Sequence, residues 1–233
     1  RLGILLSARG RRAGLSGGTA PGSPVRGRFI TVEGIEGVGK STNLAFVAGE
    51  LRRAGKSVVE TREPGGTALG ERLRELLLDA KGSVDPLAEL LMMFAARANH
   101  VQEVIRPALA SGQWVVCDRF SDATHAYQGG GRGLPATAID SLADLVHGEL
   151  WPDLTLLLDA PLDVSVARQA VRGHQDRFEQ ESGAFFRRVR ATYLERAARE
   201  PGRFHVIDAN RPLGDVQACI REALAQLLAR TDG

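Results

Sequence analysis

The sequence predicts an α/β fold: a five-stranded parallel sheet flanked by helices. Three observations carry this. Five short, mostly apolar runs alternate with longer amphipathic ones, as expected of strands covered on both faces and of the helices that cover them. A glycine-spaced loop, GIEGVGKS at 34–41, directly follows the first apolar run and opens the first amphipathic one. The first three strands also end in polar or conformationally special residues: Glu33 and the loop, then TREPGG, then Asp118-Arg119. In parallel α/β sheets, ligands bind at that C-terminal edge.

Taken in order, FITVE at 29–33 is the first strand, and STNLAFVAGELRRAG at 41–55 is the helix that follows it. SVVET at 57–61 is the second strand, followed by helices over 68–79 and 86–110. WVVCD at 114–118 is the third strand, and a helix follows over 137–148. DLTLLLD at 153–159 is the fourth strand, with helices over 163–173 and 184–200. FHVID at 204–208 is the fifth, and a helix over 215–230 closes the pattern. No period of solenoid length recurs. Residues 1–27 stand apart, rich in Gly, Arg, Ser and Pro and with little periodicity. They are expected to be a disordered tail, an expression remnant or an extended start site, and 28–233 one folded domain. The apolar LGILL is too short for a secretory core.

The bulk numbers narrow the function class. The 233 residues carry a net charge of only +2, which gives no reason to expect nucleic acid or an anionic membrane as the main partner. No apolar run approaches the roughly 20 residues that span a bilayer. Cys117 and Cys219 lie too far apart for a disulfide framework or metal spacing, and the five histidines show no HxxxH pair. A cytoplasmic protein is expected. Lysine occurs only at 40, 56 and 81, so 27 of the 30 basic residues are arginine. That scarcity makes a lysine inside a glycine-rich loop harder to attribute to chance.

GIEGVGKS matches GxxxxGK[ST] with Gly34, Gly39, Lys40 and Ser41 at the fixed places. This is a P-loop. Its glycines let successive N–H groups turn toward phosphate oxygens, and the helix N-terminus adds positive potential. The expected ATP-binding residues are Gly34, Glu36, Gly37, Val38, Gly39, Lys40, Ser41 and Thr42. Lys40 supplies a point charge to the β- and γ-phosphates. Ser41 is an expected Mg²⁺ ligand, as is Asp118, directly or through water. No N-K-x-D guanine reader is present, and the third strand ends in an acid followed by an arginine rather than in two acids. This points to a small-molecule kinase whose second substrate is itself an anion.

TREPGGT (61–67), LMMFAAR (91–97), DRFSDATHAYQGGGRG (118–133) and RGHQDRFEQE (172–181) follow the P-loop in this order. Together these motifs resemble thymidylate kinase of the bacterial kind, over essentially all of 28–230. The resemblance implies phosphoryl transfer from ATP to dTMP, giving dTDP in dTTP synthesis, with Mg²⁺. It implies that Arg62 and Arg119 hold the monophosphate, with Glu63 and Asp118 organising Mg²⁺ water and these arginines. Arg97 hydrogen-bonds thymine and Phe94 stacks on it; many members place that ring four residues before the arginine, where this chain has Met93. Thr124, Tyr127 and Gln128 read thymine and crowd the sugar 2′ position. Glycines 129–131 suit either a tight backbone approach or a flexible loop. The P-loop has Glu36-Gly37 where some members carry a catalytic arginine. The bacterial alternative is a lid, in which Arg172 and Arg177 are the expected transition-state pair beside Arg168. Members are commonly homodimers, and PLAELLMMFAA suits an interface or a core.

Two rival readings remain at this stage. A kinase for another nucleoside monophosphate would differ at Arg97, Tyr127 and Gln128. A nucleotide-sensing regulatory protein would not need the arginine-rich lid.

Overall fold

A computed structural model of the chain describes residues 26–79, 84–170, 177–178 and 181–230. The sheet has five parallel strands: β1 Phe29–Glu33, β2 Val58–Arg62, β3 Trp114–Asp118, β4 Leu154–Asp159 and β5 Phe204–Asp208. Their order across the sheet is β2-β3-β1-β4-β5. The chain therefore builds one side of β1, then crosses to the other side after β3, and this switch opens a crevice at the strand ends. Register sharpens it. Val32 of β1 and Arg62 of β2 both pair with Asp118 of β3, so Glu33, Glu63 and Arg119 leave the sheet side by side.

β1 is buried along its whole length and serves both faces. Ile30 and Val32 enter the larger apolar core with Trp114, Val116 and Leu156. Phe29 points the other way, onto Val115, Cys117, Ile105 and Phe120. This is the period-two division that makes a central parallel strand read as an unbroken apolar run.

The helices are α1 Lys40–Arg53, α2 Ala68–Leu78, α3 Pro86–His100, α4 Arg106–Ala110, α5 Ser121–Thr124, α6 Ala136–Val146, α7 Leu162–Ala170, α8 Gly183–Arg199 and α9 Leu213–Ala229. The helix expected over 86–110 is continuous but not uniform: Val101–Ile105 is a π-helical turn between α3 and α4. Pro107 explains it. Proline lacks an N–H and its ring crowds the carbonyl four residues back, which a wider turn accommodates. At its start, Asp85 accepts hydrogen bonds from the Leu87 and Ala88 N–H groups.

The segment 118–133 contains more helix than expected. α5 runs directly into a π-helical stretch, His125–Gly131, which is largely buried. Its glycines serve close approach. A Cβ on Gly130 would lie 2.1 Å from Thr192 Oγ1, and one on Gly131 2.4 Å from Phe185 Cε2, both on α8. Arg188 of α8 completes the contact, donating to the Gly131 carbonyl at 2.7 Å and the Gly130 carbonyl at 3.1 Å.

Residues 1–25 of the expected tail, and Arg172 of the expected lid, lie outside the described residues. No helix among the described residues is long and apolar enough to cross a membrane.

Candidate active site

The strand ends, the P-loop and the α3–α5 region enclose one cavity of about 180 Å³. At one end lie Gly37, Gly39, Lys40 and Ser41. At the other lie Met93, Arg97, Thr124 and Gln128, with Glu36, Glu63, Arg74, Asp118, Arg119 and Tyr127 along the wall between them.

The P-loop is shaped from below. Gly37 has φ 80°, and a Cβ there would lie 2.3 Å from the Ser165 carbonyl on α7. Only glycine lets the loop rest this closely on that helix. Lys40 Nζ donates to the Ile35 carbonyl at 2.9 Å. Burial, and then Arg119 nearby, pull its ammonium down to about 8, against the opposing pull of Asp118, Glu36 and Glu33. Of the other expected ATP-side residues, Val38 is core and Gly34 lies against the Leu158 carbonyl. Thr42 is exposed and does not line the cavity.

Arg119 has a left-handed backbone, φ 70°, which is uncommon for a non-glycine residue. Glu33 secures the turn: its Oε1 accepts the Phe120 N–H at 2.7 Å and its Oε2 accepts the Tyr193 hydroxyl at 2.8 Å. Burial and then Asp122 push the Glu33 carboxyl up to about 8. Arg119 Nη2 donates to Glu36 Oε1 at 2.5 Å and to the Tyr127 hydroxyl at 3.0 Å, and Tyr127 donates to Glu36 Oε2 at 2.6 Å. Burial would raise the Glu36 carboxyl, but Arg119, Lys40 and the Tyr127 hydroxyl outweigh it and hold it below the usual range. Glu36 thus fills the P-loop place expected to lack an arginine, and it holds the aromatic ring and the guanidinium together.

Arg97 is 2% exposed. Its Nε donates to Glu63 Oε2 at 2.7 Å and its Nη2 to Thr124 Oγ1 at 2.9 Å, while Nη1 is buried with no partner. A guanidinium held at two points and open at the third is a donor fixed in place. Glu63 also meets His100 Nδ1 at 2.9 Å. Both of its carboxylate oxygens are thereby engaged, Oε2 by Arg97 and Oε1 by His100. Gln128 Nε2 donates to Glu89 Oε1 at 2.7 Å.

Three more of the expected site residues, Arg62, Phe94 and Arg177, do not line the cavity. Arg62 is half exposed and paired with Glu71 Oε2 at 2.8 Å, outside the cavity. On that side Arg74 lines the wall instead, donating to the Pro64 carbonyl at 3.0 Å. In sequence Arg74 is one of two arginines in an amphipathic helix, and nothing in the spacing separates it from a solvated face. Phe94 is core, packed with Leu90, Ile139 and Ala143 under the Arg97 guanidinium at 4.8 Å, and Met93 takes the cavity face. One helical step of 100° separates the two. Arg177 is not presented to the cavity. It donates to Glu89 Oε2 at 2.5 Å and to the Leu77 carbonyl at 2.9 Å, because a fully buried carboxylate at Glu89 requires cations. Its neighbour Phe178 does line the cavity, a position that the sequence did not flag.

Comparison with known proteins identifies the family of the chain. The family model for thymidylate kinase matches residues 32–220. The chain is 58% identical over 205 residues to a thymidylate kinase of Pseudomonas syringae pv. syringae, covering 87% of this chain and 97% of that one. It is 60% identical over 206 residues to one from Chromohalobacter salexigens, with the same coverage. The crystal structure of thymidylate kinase from Ehrlichia chaffeensis superposes with a TM-score of 0.70 at 38% identity, covering 86% of this chain and 99% of that one. With a matching sheet, a P-loop in its structural context and relatives aligned almost end to end, the chain belongs to the thymidylate kinase family.

Proposed function

We propose that the chain transfers the γ-phosphoryl group of ATP to dTMP, forming dTDP and ADP with Mg²⁺, in the supply of dTTP. The observation that supports this best is that the P-loop and the Arg97–Gln128 recognition end open into one cavity. A nucleotide triphosphate and a pyrimidine monophosphate can then meet phosphate to phosphate.

Lys40 and the P-loop N–H groups hold the β- and γ-phosphates. Arg119 and Arg74 hold the dTMP phosphate from two sides, the first fixed by Glu36 and the second by the Pro64 carbonyl. An oxygen of that phosphate bonds to the γ-phosphorus as the bridging bond to ADP breaks. Such a transfer asks the protein chiefly for positioning and charge neutralisation. Arg97, Thr124 and Gln128 read the base beside Met93. The Tyr127 ring, fixed by Glu36 and packed edge-on at 6.0 Å from Phe178, closes the sugar side. Arg172 carries the added charge on the transferring group. Arg177 is assigned to Glu89 instead.

The residues fit Mg²⁺. Asp118 Oδ1 is buried without a hydrogen-bond partner and Ser41 lines the same cavity. No group of three or more His, Cys, Asp or Glu side chains among the described residues could cage a metal. A magnesium here would lean on substrate phosphates and water, its common mode in phosphoryl transfer. When bound, it neutralises phosphate charge.

A homodimer fits the surface. Leu69 and Leu76 of α2 and Leu87 and Leu91 of α3 are each about half exposed or more, on helices that pack together. The cytoplasm fits two cysteines that are both free.

The test is ³¹P NMR of protein with ATP, Mg²⁺ and dTMP. Equal rise of ADP and dTDP signals is expected. ADP and free phosphate without dTDP would refute the transfer.

A further inference from the structure

We propose that Glu89, which does not touch the cavity, is the positioning residue that sets the base selectivity of this enzyme by fixing which end of the Gln128 amide faces the substrate. The proposal deepens the dTMP reading and rests on it.

Glu89 lies in the first turn of α3 and is fully buried. Its Oε1 accepts from Gln128 Nε2 at 2.7 Å and from Arg132 Nε at 3.2 Å. Its Oε2 accepts from Arg132 Nη2 at 3.2 Å and from Arg177 Nη2 at 2.5 Å. Both oxygens are committed as acceptors to guanidinium groups, which can only donate. A side-chain amide has a donor end and an acceptor end, and against such a carboxylate only the nitrogen can turn inward. Gln128 is 1% exposed and lines the cavity. With Nε2 bound to Glu89, the end left for the cavity is the acceptor Oε1.

The neighbouring position supplies the complement. Arg97 Nη2 is anchored on Thr124, four residues before Gln128 on the same helical face, and its Nη1 is a buried donor without a partner. The cavity therefore presents a donor beside an acceptor. Thymine offers the matching edge, an O4 acceptor beside an N3–H donor. Cytosine offers the reverse at both places, an N4 donor beside an N3 acceptor, so each contact is left unpaired in a buried site. Turning the amide would pair Nε2 with a cytosine N3, and Glu89 forbids that turn.

The matched probes are dTMP and 5-methyl-dCMP, which differ only at this edge. Glu89→Gln is isosteric and replaces one acceptor by a donor, freeing the Gln128 amide to turn. Its expected effect is a fall of at least about tenfold in the ratio of kcat/KM for dTMP over 5-methyl-dCMP. That fall should disappear in a Gln128→Ala background, because Glu89 acts through Gln128. Equal losses on both substrates, with the ratio unchanged, would mean that Glu89 only supports the fold and would overturn the proposal.

Wild-type protein gives an independent reading if the variant does not fold. An NMR coupling across the hydrogen bond from Gln128 Nε2 to the Glu89 carboxyl carbon is expected, and an amide found in the opposite orientation would overturn the proposal. A wild-type enzyme that prefers 5-methyl-dCMP would overturn the thymine reading and this proposal together. Wild-type preference for dTMP alongside an unchanged ratio in Glu89→Gln would overturn the role of Glu89 alone.

Discussion

Arg97 is proposed to serve both stability and recognition, and the two roles can be separated. Its guanidinium lies between the rings of Phe94 at 4.8 Å and Phe120 at 5.1 Å and is paired with the buried Glu63. Burial would raise the Glu63 carboxyl, but Arg97 and then His100 hold it below the usual carboxylate range. Arg97→Met leaves that carboxylate buried beside His100 only. Removing one partner of a buried ion pair costs about 3–5 kcal/mol. For a chain of this size that is a fall of roughly 6–20 °C in Tm. Glu63→Gln added to Arg97→Met removes both charges, and at least half of the lost stability should return. Recognition should not return, because the donor Nη1 is absent in both variants. An unpaired buried acceptor costs about 1–3 kcal/mol, so kcat/KM for dTMP should stay about 5- to 150-fold below wild type. Calorimetric unfolding and steady-state kinetics on the three proteins read the two effects. A single variant as stable as wild type would refute the buried pair. A double variant that regained dTMP turnover together with stability would refute the recognition role.

Gly131→Ala should destabilise by about 1–3 kcal/mol, since its Cβ would meet the buried Phe185 ring at 2.4 Å; chemical denaturation reads this. Arg74→Ala should raise KM for dTMP about tenfold or more, whereas Arg62→Ala, at an exposed ion pair, should stay within about twofold. His147 is buried and held neutral, its imidazole pulled down to about 4 by burial and then by Arg97. The unfolded chain takes up that proton below about 6.5, so this contribution is complete above 6.5 and shrinks as pH falls toward 4. Between pH 7.5 and 5, wild type should lose about 2 kcal/mol more than His147→Gln; equal losses would contradict a neutral buried His147.

Most of the sheet was legible in the sequence because each strand is a short apolar run ending in polar residues. Strand bounds shifted by at most a residue, as at 58–62 for β2. The P-loop was legible because its glycines, Lys40 and Ser41 carry their own local geometry. What was not legible depended on distant chain. The run GGG at 129–131 left a tight backbone approach and a flexible loop open, and α8 lying against it shows the close approach. Arg62 and Arg74 both belong to arginine-rich surroundings, and what separates them is Glu71, which captures the first, and the Pro64 carbonyl, which holds the second at the cavity wall. Met93 and Phe94 are adjacent on α3, and the Ile139–Ala143 face of α6 takes Phe94 for the core. Arg177 was placed with the catalytic arginines by the lid that the resemblance implies, but a buried carboxylate at Glu89 was invisible from α3's sequence alone.

The most direct test of the account is a coupled ADP-release assay with ATP, Mg²⁺ and separate nucleoside monophosphates: dTMP, dUMP, dCMP, dGMP, AMP, CMP, GMP and UMP. Turnover concentrated on dTMP is the predicted result. Turnover concentrated on a purine or cytosine monophosphate would contradict the donor–acceptor reading of Arg97 and Gln128, and ATP binding without turnover on any of them would contradict the kinase itself.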